Sequence, residues 1–237
     1  MTTRVSAVIP AAGRGERLAS PADAHTDATP KALRLVGGRS LLRHALDGLA
    51  GAVDEVVVAA PVAWLPDVQS VCAGAEVPVT AVPGGASRQH SVALALAQVD
   101  AGAAYVLVHD AARPLVPPEV IARVVEALHT GAGAVVPAVA VSDSLRSVSA
   151  SGGSAPLDRT TVCAVQTPQG FNRQLLDRAH AHVGNNDAND ATDATDDATL
   201  VERLGEEVTL VEGDPLAFKV TSRVDLTLAE ALVAGQR

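Results

Sequence analysis

Aromatic residues are nearly missing from this chain: one Trp, one Tyr and two Phe among 237 residues. With 48% of the sequence hydrophobic, the core must be built from Val, Leu and Ala, as in parallel sheets covered by helices. Long apolar runs are missing too, which excludes a membrane-spanning helix, and the first residues carry no charged-then-apolar signal pattern. Cys72 and Cys163 have neither metal-ligand spacing nor a disulfide framework, so a reducing, cytoplasmic setting is expected. Positive charge is scarce, and the formal net charge of −9 argues against a nucleic-acid partner, as the lack of a long apolar run argues against a membrane. It does not argue against small anionic ligands, because a pocket's local field can oppose the sign of the whole. Lysine is the scarcest cation, present only as Lys31 and Lys219. An arginine-rich composition accounts for the scarcity, but each position that keeps lysine could need a compact point charge that a planar guanidinium does not copy.

What is present is a rhythm. Short β-branched runs recur at Val5–Ile9, Glu55–Ala59, Val77–Val82, Tyr105–Val108, Ala134–Val136 and Val208–Val211. Between them, Leu41, Leu42, Ala45, Leu46 and Leu49 share one helical face, as do Val92, Ala95, Leu96 and Val99. Pro117-Pro118-Glu119 reads as a helix start, and Ser222-Arg223-Val224-Asp225 as a capping box. The pattern predicts an α/β fold in one domain over 1–237, with a mostly parallel sheet and helices on both faces. Pro21 to Thr29 reads as a polar loop, 185–197 as an acidic tract of low complexity, and Val141 to Thr160 as an arm leaving the domain body.

The first strand ends in Pro10-Ala11-Ala12-Gly13, placing small residues at the carboxyl edge of a sheet, where open α/β folds bind ligands. Residues without bulk let backbone N–H groups approach a phosphate or a base. The dinucleotide fingerprint fails, since Leu18 stands where its third glycine belongs, and Lys31 follows a proline rather than a Walker glycine. A plain strand-to-helix turn is the alternative. Against it stand Arg14, Arg17 and Lys31, three cations around one loop of small residues, which suit a polyphosphate. Gly84-Gly85 reads first as an ordinary turn before a helix, Asp110 equally as a cap, and His109 as a packed structural residue.

Taken together, PAAGRGERL and PKAL (10–18, 30–33) resemble the signature loop of the sugar nucleotidyltransferases. PGGASRQHSV, VLVHDAARP, VSDSLRSV, LDRTTVCAVQTPQGF, TDDATLVERLG and GDPLAFKVT follow in order, and with them the chain resembles the 2-C-methyl-D-erythritol 4-phosphate cytidylyltransferase family of isoprene biosynthesis. The resemblance implies a single Rossmann-like nucleotidyltransferase domain with a protruding dimerisation arm at 141–160. It also implies transfer of the cytidylyl group of CTP to methylerythritol phosphate, with Mg2+ or another divalent cation and with a homodimer as the working unit.

By the same resemblance, Arg17 and Lys31 would stabilise the transferring phosphates. Pro10, Ala11, Ala12, Gly13, Gly84, Gly85, Arg88, Ser91, Asp110 and Ala111 would bind the nucleotide, with Asp110 beside the metal. Arg159, Lys219 and Thr167 would position the sugar phosphate, and Arg113 and Ser144 would reach it from a neighbouring subunit. The spacer between Arg17 and Lys31 is longer than is usual in the family. If it bulges outward, lengthening the loop costs only about 0.6 kcal/mol per doubling. Ser144 replaces a commoner threonine, Ala217 a commoner asparagine, and Ala86 a residue that is often polar. Two other readings stay open at this point: a cytidylyltransferase for another polyol phosphate such as ribitol 5-phosphate, and a nucleotide-binding regulator without catalysis.

Overall fold

The computed structural model describes residues 3–13, 29–185 and 194–235. Arg14, Arg17, most of the polar loop from Pro21 and most of the acidic tract lie outside the described residues.

In chain order the strands are β1 (Val5–Pro10), β2 (Leu35–Val36), β3 (Arg39–Ser40), β4 (Glu55–Ala60), β5 (Val79–Pro83), β6 (Tyr105–Val108), β7 (Ala134–Ala140), β8 (Leu145–Val148), β9 (Ser154–Leu157), β10 (Cys163–Val165), β11 (Gln169–Asn172) and β12 (Thr209–Glu212). The helices are α1 (Leu41–Leu49), α2 (Leu65–Cys72), α3 (Arg88–Leu96), α4 (Pro118–His129), α5 (Arg173–Asn185), α6 (Asp197–Arg203) and α7 (Arg223–Gly235). The main sheet runs β5-β4-β1-β6-β11-β7. Beside β7, β12 pairs in parallel and β10 antiparallel. Among its described strands, only β10 and β11 oppose the common direction.

Period-two alternation sorts the strand residues onto two faces. Ala7, Ile9, Val56, Val58 and Leu107 pack with Leu42 and Leu46 of α1, Val68 of α2 and Val124 of α4. Val8, Val57, Ala59, Val106 and Val108 pack with Val92 and Leu96 of α3, Leu176 of α5 and Leu200 of α6. Helices therefore cover both faces, as the β-branched runs predict. The capping box before α7 is also present: Ser222 Oγ accepts from Asp225 N at 3.2 Å, and Asp225 Oδ2 accepts from Ser222 N at 2.8 Å.

Strand β11 has no sequence signal, because Gln-Gly-Phe-Asn contains one apolar residue and no β-branched one. It forms because β6 and β7 hydrogen-bond it from both sides. Gly170 allows close packing there: a Cβ would lie 2.8 Å from Leu128 Cδ1 and 3.2 Å from Leu107 Cδ2. The arm is a hairpin, β8 against β9, turned by Gly152 at φ 84° and closed by Ser149 N donating to Gly153 O at 2.8 Å. Every residue of β9 is exposed.

Candidate active site

β1, β4, β5 and β6 all end on one edge of the sheet, and the chain reverses its direction of spread between β1 and β6. Such a switch point leaves a crevice that no crossover covers. Here it is a cleft of about 790 Å³, lined by the loops after β1, β5 and β6 and by the segment around Lys219.

The loop after β1 stays tied to the sheet, with Ala11 N donating to Ala59 O at 2.7 Å, while Gly13 is exposed. The loop after β5 is tied likewise, Gly84 N donating to Ala60 O at 2.8 Å. These two loops nearly touch. A Cβ on Gly84 would run into Ala12 Cβ and stand 3.2 Å from Ser91 Oγ, so only glycine leaves both backbones in place. Ser87 caps α3 by accepting from His90 N at 3.1 Å. Ser91, one turn in, accepts from Gly85 N at 3.0 Å and donates to Ser87 O at 2.8 Å. The glycine pair is thus both a turn before a helix and part of the cleft wall. Lys31 opens a single 3-10 turn after Pro30, which is extended at φ −54° and ψ 144°, and its residue lines the same cleft.

Asp110 follows β6 and is the one carboxylate among the described lining residues. Its Oδ2 pairs with Lys219 Nζ at 2.6 Å, and its Oδ1 faces Arg88 Nε at 3.4 Å. Burial alone would raise this carboxyl, but Arg88 and Lys219 together hold it well below the usual carboxylate range. Directly beneath, Thr167 Oγ1 accepts from Asp110 N at 3.0 Å and meets His109 Nδ1 at 3.1 Å, while His109 Nε2 lies 3.3 Å from Arg113 O. Burial, with Arg113 nearby, pushes His109 down to about 4, so the ring is neutral at neutral pH. These contacts form one relay if the hydroxyl donates to Nδ1 and Nε2–H donates to the carbonyl.

Twelve of the residues singled out from sequence line this one cleft: Pro10, Ala11, Ala12, Gly13, Lys31, Gly84, Gly85, Arg88, Ser91, Asp110, Ala111 and Lys219. Four do not. Thr167 is buried, and its hydroxyl meets Asp110 N and His109 Nδ1. Arg113, expected to reach a neighbouring subunit, makes contacts within its own chain. It donates to Ala217 O at 2.6 Å and Val165 O at 3.1 Å of its own chain, bracing the segment that carries Lys219. Ser144 and Arg159 sit in the exposed arm, where Arg159 donates to Ser142 O at 2.7 Å. Arg17 lies outside the described residues.

Sequence reasoning missed Pro61, Ser87 and Thr221 in the lining, and Asp197 and His180 behind it. Asp197 falls inside a motif quoted above, but an acidic residue at a helix start reads first as a cap, which hides its pairing with Arg88. A divalent cation fits the donor set. One carboxylate is too few for an all-protein cage, and no cluster of three potential ligands occurs among the described residues. Mg2+ commonly takes one or two carboxylates and completes its shell with substrate phosphates and water.

A family model described as IspD, 2-C-methyl-D-erythritol 4-phosphate cytidylyltransferase, matches residues 5–235. The enzyme of that name from Nocardia farcinica is 48% identical, over 97% of this chain and 94% of its own length. That from Streptomyces avermitilis is 45% identical, over 99% and 93%. Among solved structures, the Thermus thermophilus cytidylyltransferase aligns with a TM-score of 0.77 at 39% identity, covering 98% of this chain and 100% of that one. The 4-diphosphocytidyl-2C-methyl-D-erythritol synthase of Anaerococcus prevotii reaches a TM-score of 0.82 at 25% identity, covering 99% of each.

Proposed function

The chain belongs to the 2-C-methyl-D-erythritol 4-phosphate cytidylyltransferase family, and on that premise we propose how its cleft carries out the family's reaction. The enzyme transfers the cytidylyl group of CTP to 2-C-methyl-D-erythritol 4-phosphate, giving CDP-methylerythritol and pyrophosphate. An oxygen of the sugar phosphate forms a bond to the α-phosphorus of CTP while the bond to the pyrophosphate oxygen breaks in line. The nucleophile is already anionic near neutral pH, so the protein need not take a proton from it. Its task is to hold two anions together and offset the charge of the transition state.

The small residues after β1 and β5 would let backbone approach the nucleotide. Lys31 and Arg17 would offset charge on its phosphates, Lys31 as a point charge and Arg17 through several N–H groups. Asp110 would hold Mg2+ or a similar cation together with phosphate oxygens of CTP, and the cation would add its own charge to the neutralisation. Lys219 would position the sugar phosphate, helped by Arg159, while Thr167 and Arg113 fix the strand ends that present these groups.

The observation that carries this reading is the convergence of the two lysines. Residues 188 positions apart in sequence, in a chain with no other lysine, line one cleft beside its only lining carboxylate among the described residues. The exposed arm, with Val148 at 75% and Leu157 at 42% exposure, supports a homodimer in which Ser144 and Arg113 approach the partner's acceptor site. No helix among the described residues is long and apolar enough to cross a membrane, and the two free cysteines suit a cytoplasmic setting.

Pyrophosphate release tests the reading, with each of the four nucleoside triphosphates paired with methylerythritol phosphate or ribitol 5-phosphate. Release with CTP and methylerythritol phosphate is expected; turnover with ribitol 5-phosphate alone would overturn the acceptor assignment.

A further inference from the structure

Arg88 faces the cleft with one edge of its guanidinium and the interior with the other. Its Nε lies 3.4 Å from Asp110 Oδ1, long for a hydrogen bond, whereas an Nη donates to Asp197 Oδ2 at 2.7 Å. Asp197 is 1% exposed, and its other oxygen accepts from His180 Nε2 at 3.0 Å, which places a proton on that nitrogen. Lys219, Asp110, Arg88, Asp197 and His180 therefore form a row that runs from the cleft to α5. Asp197 and His180 do not line the cleft. The start of α6 is itself fixed from two sides: Gln169 Nε2 donates to Asp196 Oδ2 at 2.8 Å, and Gln169 Oε1 accepts from Ala198 N at 3.2 Å.

The two carboxylates do not hold Arg88 equally. Asp197 is the more deeply buried of the two and makes the shorter contact, and a buried carboxylate stripped of its partner is costly, so Asp197 keeps its grip. Asp110 has the longer contact and a second partner in Lys219, so it can turn toward an incoming ligand while Arg88 stays at the cleft. Without the inner anchor, Arg88 would close on Asp110, the nearest remaining carboxylate, and withdraw both groups from the nucleotide.

We propose that Asp197 and His180 are positioning residues for nucleotide binding, anchoring Arg88 from behind so that Asp110 is released to the ligand without carrying Arg88 away. The inference rests on the cytidylyltransferase reading above, which makes the cleft's ligand CTP.

The test uses the full chain as wild type, Asp197→Asn, His180→Leu and His180→Gln. CTP binding is measured by calorimetry without acceptor, and KM for CTP and kcat are measured at saturating methylerythritol phosphate. Asp197→Asn should weaken CTP binding and raise its KM about tenfold while kcat stays within about twofold, as expected for the loss of one charge-assisted contact that sets ground-state binding. His180→Leu should show a smaller rise of about threefold, and His180→Gln, whose amide can donate to Asp197, should return to near the wild-type value. Should Asp197→Asn not fold, the histidine pair decides alone. The proposal is overturned by unchanged CTP affinity in a folded Asp197→Asn or His180→Leu, by a loss at His180→Leu that glutamine does not rescue, or by a fall in kcat with KM unmoved. Because calorimetry needs no turnover, a wild type that binds CTP but transfers nothing would count against the functional reading, while the binding series still decides this one.

Discussion

The cleft edge of the sheet and the arm draw on the same residue types, serine, glycine and arginine, and use them in opposite ways. In the cleft, Ser91 exchanges hydrogen bonds with Gly85 and Ser87, and Arg88 lies between two carboxylates. In the arm, Ser149 closes a turn with Gly153, and Arg146 reaches Ser154 across its own hairpin. Gly84 in the cleft has a neighbour that forbids a side chain, whereas Gly152 in the arm is needed for its positive φ alone. The cleft is over-determined within one chain, while among the described residues the arm's hydrogen bonds stay within 142–161. The difference teaches that the proposed nucleotide half of the site is pre-built, and that under the proposed dimer the acceptor half would depend on what the arm meets.

The sharpest way to break this comparison is to remove a cleft cation. Lys31→Ala should lower turnover about 10²–10³-fold, the usual cost of one group that stabilises transition-state charge, as read by pyrophosphate release. A loss of that size from Arg146→Ala in the arm would erase the distinction. Next, Gly84→Ala should weaken CTP binding at least about tenfold, since overpacking against Ala12 costs roughly 1–3 kcal/mol and shifts both loops. Gly13→Ala provides the control. Among the described residues its new Cβ meets nothing within 4 Å, so weakening there would report the ligand's own close approach. Calorimetry on both variants separates these two effects.

A smaller effect concerns pH. His109 is pushed from its ordinary 6.5 to about 4, so the unfolded chain takes up its proton first as pH falls. The folded state binds fewer protons across that window, and stability should therefore drop between about pH 6.5 and 4. Denaturant unfolding of wild type and His109→Phe should show this slope flattened in the variant. Asp110 acts lower. Its depressed carboxyl contributes stability that is fully present above pH 3.8 and is lost on acidification below that. The smallest effect belongs to the arm: Val148→Asp should leave CTP affinity within about twofold, as an exposed substitution remote from the cleft does. The same variant should shift the mass in sedimentation toward a monomer and raise KM for methylerythritol phosphate. Unchanged mass and acceptor KM would remove the arm from the account.

Much of this was legible in the sequence, and the exceptions have physical causes. The β-branched runs and the Leu41–Leu49 face marked the sheet and α1 because burial on two faces or one imposes periods of 2 and 3.6. The cleft lining was legible as loops of small residues after strands. Strand β11 was not, because its pairing comes from β6 and β7 rather than from its own residues. Thr167 and Arg113 carry polar side chains that a sequence reading aims at substrate, and only the fold shows that they also contact Asp110, His109, Ala217 and Val165. Asp197 was invisible for a related reason: its partners Arg88 and His180 lie 109 and 17 positions away.

The central claim is that this cleft joins two phosphorylated molecules rather than merely holding one. Phosphorus NMR of the wild type with CTP, Mg2+ and methylerythritol phosphate tests it directly. The account predicts that the acceptor's phosphate signal is replaced by that of a diphosphate diester, with pyrophosphate appearing in equal amount. CTP that binds while every phosphorus signal stays unchanged, or that yields CMP and pyrophosphate with the acceptor intact, would contradict it.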